Sequence, residues 1–299
     1  MIAQARVPIQ DRTLKAVYQL QLRSRSEQAL GPVKAVLFSL GYAESDLILS
    51  IIKDFYSLEL FDKTPAKFVR LKRLFIRLSL PDVKITTHHL AAKDWLTRWK
   101  NQWKPTALTK KMDVVPVWHR NKYKTRRDRD YILIDTLMSF GTGLHETTQL
   151  MARFIEDNRG KFVSFLDIGT GTGILAFVAL KYGARDAVGI DIGQLSVQAA
   201  RDNMKVNKTY FRVVKADIKK YRSSKTYDFV AANLVTEDLI EHASKIISFV
   251  KEGGLLAVSG ISLDNLSRLR RAFSSLPLKC LKISKGRQWS GLLYQKMML

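Results

Sequence analysis

The alternation of apolar and polar segments in the second half of the chain predicts a strand, a glycine turn, a helix and a second strand. Residues 162–168 form a short apolar run that is typical of a buried strand. A Gly-Thr-Gly-Thr-Gly segment follows, and residues 174–182 carry apolar side chains densely enough for a mostly buried helix. A second predicted strand, residues 187–190, ends at Asp191. This order is half of a nucleotide-binding unit.

Helices and strands continue to alternate after this unit. The pattern predicts helices at residues 195–206, 237–250 and 263–273, and strands at residues 210–216, 227–234, 255–259, 279–284 and 289–296. Gly253 and Gly254 are interpreted as the end of the second of these helices. We therefore predict an α/β fold with a Rossmann-like, doubly wound sheet of seven strands that binds its ligand at the carboxyl ends of the strands.

The first third of the chain predicts a smaller α+β domain. Residues 13–90 give the order strand, helix, strand, strand, helix, strand, which suggests a ferredoxin-like arrangement of helices on an antiparallel sheet. The second of these helices, residues 65–80, carries its apolar side chains on one helical stripe: Phe68, Leu71, Leu74, Phe75 and Leu78. Nothing in this segment predicts catalysis.

Two segments between these domains allow more than one interpretation. A predicted helix at residues 91–103 places Trp95, Trp99 and Trp103 on one stripe. The stripe fits either an aromatic platform for bases or a packed face that docks the helix, and we favour packing. Residues 119–130 form a loop rich in Lys and Arg, which is either a mobile linker or an arm that contacts phosphates.

The residues around the glycine turn indicate the class of ligand. A dinucleotide fingerprint, G-x-G-x-x-G, needs a small residue where this chain has Ile174. The sequence instead reads D-x-G-x-G-x-G from Asp167, which resembles the first motif of Rossmann-like methyltransferases that use S-adenosylmethionine. An acid beside the turn suits the cofactor's α-ammonium group, and Asp191, about 20 residues further on, suits both ribose hydroxyls. A purely structural βαβ turn is the alternative.

The chain is strongly basic, with 50 Lys and Arg residues against 27 Asp and Glu and a net charge of +23 over 299 residues. Such a surface attracts nucleic acid or anionic assemblies, and a generally basic, solvated surface is the alternative. Cys280 is the only cysteine, which excludes an internal disulfide and any metal site built from cysteines. No apolar run approaches the length of a membrane span. We expect a cytoplasmic protein, although the arginine-bearing first residues leave an organelle presequence open.

Seven segments carry a resemblance to one family. They are Asp94-Trp95 through Trp99, FGTG-x-H-x-TT at residues 140–148, D-x-G-x-G-x-G from Asp167, GIDI at 189–192, AARDN at 199–203, AANL at 231–234 and LAVSGI at 256–261. With them the chain resembles the ribosomal protein L-eleven methyltransferases, the PrmA family, over nearly its whole length. The second segment is far more specific than the glycine turn. The chain departs from the family in reading HETT where HPTT is usual, and in being basic.

The resemblance implies an S-adenosylmethionine-dependent N-methyltransferase that acts on amines of a ribosomal protein. It also implies which residues contact the cofactor: Thr148, Gly169, Gly171, Asp191 and Asn233. We expect residues 1–90 to recognise the substrate, residues 91–130 to form a linker helix and basic loop, and residues 131–299 to form the methyltransferase domain. No catalytic side chain and no metal ligand is assigned, and a monomer is expected.

The residues after Asn233 separate two kinds of acceptor. Methyltransferases that act on base amines carry a Pro-Pro-aromatic sequence after the corresponding asparagine. This chain has Leu234-Val235-Thr236 there and does not resemble them at this point. We therefore favour a methyltransferase whose acceptor is a protein amine. The alternative is a methyltransferase that acts on ribosomal or transfer RNA. A third possibility is a binding module with a vestigial cofactor site. Because a basic enzyme and a basic ribosomal protein repel each other, we predict that ribosomal RNA contacts the loop at 119–129 and the helix at 67–77.

Overall fold

The computed structural model describes residues 16–42, 47–52, 54–62, 64–91, 103–125, 127–135 and 143–298. The chain folds into two compact units, Met1–Trp103 and Lys104–Leu299. The predicted tryptophan helix lies outside the described residues except for its two ends, of which Trp103 is buried. The role of Trp95 and Trp99 and the division of the chain at residues 90 and 130 therefore stay predictions.

The first unit contains a four-stranded antiparallel sheet and two helices. Its elements are β1 (Ala16–Ser24), α1 (Gly31–Ser39), β2 (Ile48–Ile52), β3 (Phe55–Asp62), α2 (Pro65–Arg77) and β4 (Lys84–Ala91). The strands lie in the order β2-β3-β1-β4, and each neighbouring pair is antiparallel. The order of elements agrees with the sequence pattern, and the ferredoxin-like classification stays a prediction.

Helix α2 packs on the core of the first unit through an apolar stripe. Phe68, Leu71 and Phe75 are buried in one cluster with side chains of the sheet and of α1. Leu74 is only half-buried and Leu78 is exposed. Because the helix ends at Arg77, Leu78 lies beyond its last turn, and the prediction that it belongs to the stripe was wrong.

The second unit contains all the remaining described elements. Its strands are β5 (Thr106–Ala107), β6 (Met112–Pro116), β7 (Asp130–Ile134), β8 (Ser164–Ile168), β9 (Asp186–Asp191), β10 (Arg212–Lys215), β11 (Tyr227–Asn233), β12 (Val250–Ser262), β13 (Leu278–Lys285) and β14 (Trp289–Lys296). Its helices are α3 (Glu146–Asp157), α4 (Ile174–Lys181), α5 (Gln194–Asn207), α6 (Thr236–Glu241), α7 (Ala243–Ser248) and α8 (Leu266–Phe273). No helix in the described part of the chain is long and apolar enough to cross a membrane.

The seven strands from β8 to β14 form the main sheet of this unit. Their order is β10-β9-β8-β11-β12-β14-β13, and β14 is antiparallel to both of its neighbours while the other pairs are parallel. The predicted α/β fold with seven strands is confirmed. The direction of winding reverses between β8 and β11, which is where ligands bind in such sheets. Helix α4 follows β8 and is buried almost throughout, as its dense apolar sequence predicts.

The segment predicted as one helix, residues 237–250, has a different structure. It contains two short helices, α6 and α7, and β12 already begins at Val250. Tyr227 pairs with Val250 while Phe229 pairs with Leu255, so β12 holds extra residues at this point. Gly253 and Gly254 therefore lie in a strand irregularity and do not end a helix, and that prediction was wrong.

The end of the basic loop leads into a small sheet, and among the described residues of the loop Asp130 alone lies in a strand. Strands β5, β6 and β7 form a three-stranded sheet, and β6 pairs in parallel with β7. Arg129 lies immediately before β7, with its Nε 3.0 Å from both carboxylate oxygens of Asp113. Its Nη2 donates to the carbonyls of Thr109 at 2.9 Å and Met112 at 3.0 Å. The interpretation of Arg129 as part of a phosphate-contacting arm was wrong, because its guanidinium is already used inside the unit.

Replacement of Arg129 by Ala should lower the free energy of unfolding by about 3–5 kcal/mol. The substitution leaves the buried carboxylate of Asp113 without its counter-charge. Arg127→Ala is the matched control, because Arg127 is exposed and should change the stability by less than about 0.5 kcal/mol. Urea unfolding of both variants measures this difference, and equal effects would contradict the assigned role of Arg129.

Candidate active site

Three adjacent strands bring predicted site residues to one edge of the main sheet. Ile168, at the end of β8, pairs with Ile190 of β9 and with Ala232 of β11. The next residue on each strand is a predicted cofactor contact: Gly169, Asp191 and Asn233. Neighbouring strands are about 4.8 Å apart, so these three positions form a short row at the carboxyl edge. The strand register thus brings together residues that are 64 positions apart.

The carboxylate of Asp191 holds the glycine turn against the end of β9. Its Oδ2 accepts the N–H of Gly171 at 2.9 Å, and its Oδ1 accepts the N–H of Gly193 at 2.8 Å. The glycines of the turn, Gly169, Gly171 and Gly173, all have positive φ, as the turn requires. Each carboxylate oxygen retains a lone pair after these bonds, so Asp191 can still accept hydroxyl donors.

Asp167 is a buried carboxyl group directly under the glycine turn. It is 1% exposed, and its Oδ2 accepts the hydroxyl of Thr170 at 2.7 Å. Its Oδ1 has no hydrogen-bond partner among the described residues. Burial raises the pKa of Asp167 to about 7, hydrogen bonds from the Thr170 hydroxyl and the Ala176 N–H oppose this rise, and the negative charge of Asp191 adds to it. A cation placed at this site would stabilise the ionised carboxylate.

Close packing around Leu234 fixes the position of Asn233. A Cβ on Gly169 (φ +74°) would come within 2.7 Å of Leu234 Cδ2. A Cβ on Gly260 (φ +93°) would overlap the carbonyl of Leu234. The N–H of Leu234 also donates to the carbonyl of Ser259 at 3.1 Å. The chain after β11 is therefore held between two glycines, with Asn233 next to the glycine turn.

The described part of the FGTG-x-H-x-TT segment, residues 143–148, lies beside the first turn of α4. Gly143 approaches Ile174, the first residue of that helix. His145 is the N-cap of α3, and its Nδ1 lies 2.7 Å from Thr147 Oγ1. No capping role was assigned to His145 from the sequence. Thr148 is buried and its Oγ1 has no partner among the described residues.

Several residues that shape the site were not identified from the sequence. Asn203 in α5 is buried, donates to the carbonyl of Thr172 in the glycine turn at 3.0 Å and accepts the N–H of Asp135 at 2.8 Å. An asparagine inside the predicted helix at residues 195–206 is the signal that could have indicated this role. Trp289 packs against His145 with 5.2 Å between ring centroids. No local pattern predicts that contact, because the two residues are distant in sequence.

The site fits S-adenosylmethionine better than a dinucleotide. Two carboxyl groups, Asp167 and Asp191, flank the glycine turn, and they would repel a pyrophosphate. The buried Oδ1 of Asp167 suits an ammonium donor, and the oxygens of Asp191 suit ribose hydroxyls. The unpartnered Oγ1 of Thr148 is a further polar atom for the ligand.

Residues 48–297 match the model of the family described as Ribosomal protein L11 methyltransferase (PrmA). The chain belongs to this family. A ribosomal protein L11 methyltransferase of Alkaliphilus oremlandii is 31% identical over 211 residues, which are 70% of this chain and 66% of the relative, just under two thirds. The Geobacter metallireducens relative of the same name is 32% identical over 263 residues, 81% of this chain and 86% of the relative.

A solved structure supports the same relationship. The crystal structure of a ribosomal protein L11 methylase from Lactobacillus delbrueckii has a TM-score of 0.61 and 28% identity, and covers 66% of this chain and 100% of that one. The resemblance to the PrmA family is confirmed, and so is S-adenosylmethionine as the cofactor. The individual contacts of Thr148, Gly169, Gly171, Asp191 and Asn233 with the cofactor stay predictions.

The affinity for S-adenosylmethionine should rise about tenfold between pH 6 and pH 8. With a pKa of about 7 in the free protein, the carboxyl of Asp167 is roughly one tenth ionised one unit below that value and mostly ionised one unit above it. Only the ionised form attracts the α-ammonium group. Calorimetric titrations across this range measure the effect, and Glu252→Gln, at an exposed surface position, is the control. A flat affinity in the native protein would contradict this role.

Asp167→Asn supplies an independent measurement on the free protein. A carboxyl group whose pKa is higher in the folded protein than in the unfolded chain contributes to stability when it is protonated. This contribution is fully present below the pKa of the group in the unfolded chain. It is lost as the pH rises through the pKa of the group in the folded protein. The variant should therefore become more stable relative to the native protein as the pH rises through about 7, and its weaker cofactor binding should lose the pH dependence. Thermal unfolding at both ends of the range tests the first expectation.

Proposed function

We propose that the chain is an S-adenosylmethionine-dependent N-methyltransferase that methylates amines of ribosomal protein L11, the substrate in the names of its relatives. The family match over residues 48–297 is the observation that carries the proposal. The acids and glycines of the site support it, since a degenerate binding module would have no reason to bury a carboxyl group at this position.

The chemistry requires positioning more than activation. S-adenosylmethionine, when bound, supplies an electrophilic methyl group. A lysine amine has a pKa of about 10.4 and must lose its proton first, whereas a free α-amine at about 8 is already partly neutral. Asn233 lies at the sheet edge, where its side-chain carbonyl oxygen can accept an N–H bond and direct the nitrogen lone pair. The buried surroundings of the glycine turn exclude water from the reacting groups.

Methylation of RNA is the less favoured function. The chain after Asn233 leads into Leu234, which is wedged against Gly169 and Gly260 and is followed by α6. This segment lacks the Pro-Pro-aromatic sequence on which base-amine methyltransferases hold the acceptor base, and so it does not resemble them here. A nucleobase would therefore lack that stacking surface at this strand end.

The finer assignments are part of the same proposal. Thr148, Gly169, Gly171, Asp191 and Asn233 contact the cofactor. Residues 1–90 form a ferredoxin-like domain that delivers the substrate, residues 91–130 link it to the rest, and residues 131–299 form the methyltransferase domain. The strand order β2-β3-β1-β4 supports the ferredoxin-like classification. The enzyme is a cytoplasmic monomer.

A ribosomal RNA contact is supported by two basic surfaces, one on each unit. On α2, Arg70, Arg73 and Arg77 are exposed on the face opposite the buried stripe. On the second unit, a groove of about 320 Å³ between α3 and β13 is lined by four cationic side chains: Lys110, Arg153, Lys282 and Lys285. Two acids also line the groove: the carboxylate of Glu156 is used by internal hydrogen bonds, and Asp157 forms an ion pair with Lys282 that offsets one of the four positive charges. Both surfaces suit a phosphate backbone.

The function is tested by incubating the full chain with methyl-labelled S-adenosylmethionine and three acceptors. These are ribosomal protein L11 alone, the same protein on its RNA fragment, and the RNA alone. We expect label on the protein only, with faster transfer when RNA is present. Label on RNA would identify the RNA methyltransferase alternative, and no label on any acceptor would contradict the proposed activity.

Substitution of Arg70, Arg73 and Arg77 by Gln should weaken binding to the protein–RNA complex and reduce its salt dependence. Each lost phosphate contact lowers the slope of log affinity against log salt by about 0.7–0.9. The matched control replaces three exposed arginines of α8: Arg268, Arg270 and Arg271. Cofactor affinity should stay unchanged in both variants. An unchanged slope in the α2 variant would exclude this helix as an RNA contact.

A further inference from the structure

The turn between β13 and β14 is organised around a carboxylate from another element. Three successive backbone N–H groups donate to Glu146: Arg287 to Oε1 at 2.6 Å, and Gln288 and Trp289 to Oε2 at 3.0 Å each. A set of converging N–H groups of this kind is an anion-binding nest. Here a side chain of the same protein, the first residue of α3, occupies it.

The surroundings of Glu146 are shaped for an ionised carboxylate. Gly286 lies against it, and a Cβ at that position would overlap the Glu146 carboxyl group. Partial burial opposes ionisation, but the bonds from Arg287, Gln288 and Trp289 outweigh it and lower the pKa of Glu146. The group is therefore charged at neutral pH, and its hydrogen bonds are of the stronger, charge-assisted kind.

The strand register places this turn beside the active site. Asn233 pairs with Ser259 of β12, and Ser259 pairs with Gly291 of β14. Trp289 begins β14 and pairs with Ser262, the last residue of β12, so it lies at the same carboxyl edge as Asn233. The two residues are two strands apart, about 10 Å across the sheet, and Trp289 is also three positions of β12 further along the strand direction than Asn233. The Trp289 ring packs against His145, in the loop that leads to Thr148.

We propose that Glu146 is a positioning residue for methyl transfer. Its carboxylate fixes the turn at residues 286–288, which keeps the Trp289 ring against His145 and so maintains one wall of the approach to Asn233. The inference rests on the proposed function, because it assumes that the acceptor amine reaches Asn233 at this edge. Glu146 touches neither reacting atom and acts through the turn.

Helix α3 does not depend on Glu146 for its own position. Leu150, Met151 and Phe154 bury one face of the helix. Glu156, near its other end, binds the hydroxyls of Thr109 at 2.8 Å and Tyr182 at 2.7 Å. Loss of the Glu146 carboxylate should therefore release the turn while the helix and the cofactor site remain folded.

The test is Glu146→Gln in the full chain. The amide keeps the shape of the side chain but turns one acceptor oxygen into an N–H₂ donor, which opposes the turn N–H groups. We expect the amides of residues 287–289 to exchange with deuterium at least about tenfold faster, because their local opening no longer breaks charge-assisted bonds. The kcat for ribosomal protein L11 should fall about tenfold, and the Kd for S-adenosylmethionine should stay within about twofold.

Asp157→Asn is the matched control, because Asp157 lies on the same helix and forms an exposed ion pair with Lys282 of β13. It should change neither the exchange of the turn nor kcat. Glu146→Asp, which keeps the charge on a shorter side chain, should give intermediate values for both and serves if the Gln variant does not fold.

Two outcomes would overturn the inference about Glu146 and leave the proposed function intact. One is faster amide exchange with native kcat, which would make Glu146 purely structural, and the other is unchanged exchange of the turn in the Gln variant. Absence of methyl transfer by the native enzyme would overturn the proposed function, and the inference with it. The native arm of the same experiment distinguishes these cases.

Discussion

The site depends on the close approach of the chain after β11 to two glycines. Leu234 fills the space that a side chain at Gly169 or Gly260 would occupy, and both glycines have a φ that favours residues without a Cβ. This contact joins the ends of β8, β11 and β12 into one surface. The glycine turn and Asn233 can then share a small ligand, because neither backbone can move without displacing Leu234. Packing therefore determines the geometry on which the chemistry relies.

A second constraint is the burial of charge beneath the glycine turn. Asp167 is enclosed, and Asp191 lies close enough to raise its pKa further. Two carboxyl groups in this arrangement are unfavourable in the free protein and become favourable when a cation joins them. The site thereby discriminates between ligands by charge: an ammonium group relieves the repulsion, and a phosphate increases it. S-adenosylmethionine, with its ammonium group and ribose hydroxyls, matches this electrostatic requirement.

Local patterns predicted the elements of the site well, because a strand, a glycine turn and a helix are encoded by adjacent residues. The errors concern features that depend on pairing across the fold. Gly253 and Gly254 resemble a helix end in sequence, but the register of β11 against β12 makes them part of a strand. In the sequence, Arg129 has the character of an exposed surface charge, because its ion-pair partner Asp113 lies on β6, which is distant in the chain. Glu146 and Arg287 are 141 residues apart, so no local pattern could connect them.

The acidic and basic groups of the protein suit two different kinds of ligand. The interior of the site is acidic and suits a cationic cofactor, while the net charge of +23 makes the exterior suited to anions. A cationic substrate protein would be repelled by this exterior at long range and attracted only close to the acids of the site. In the proposed function, long-range attraction comes from an anion that accompanies the substrate, and a phosphate backbone fulfils this requirement. Under the proposed RNA contact, exposed arginines on α2 or, separately, the groove beside α3 would bind that backbone, and the substrate would reach the sheet edge already bound to its RNA.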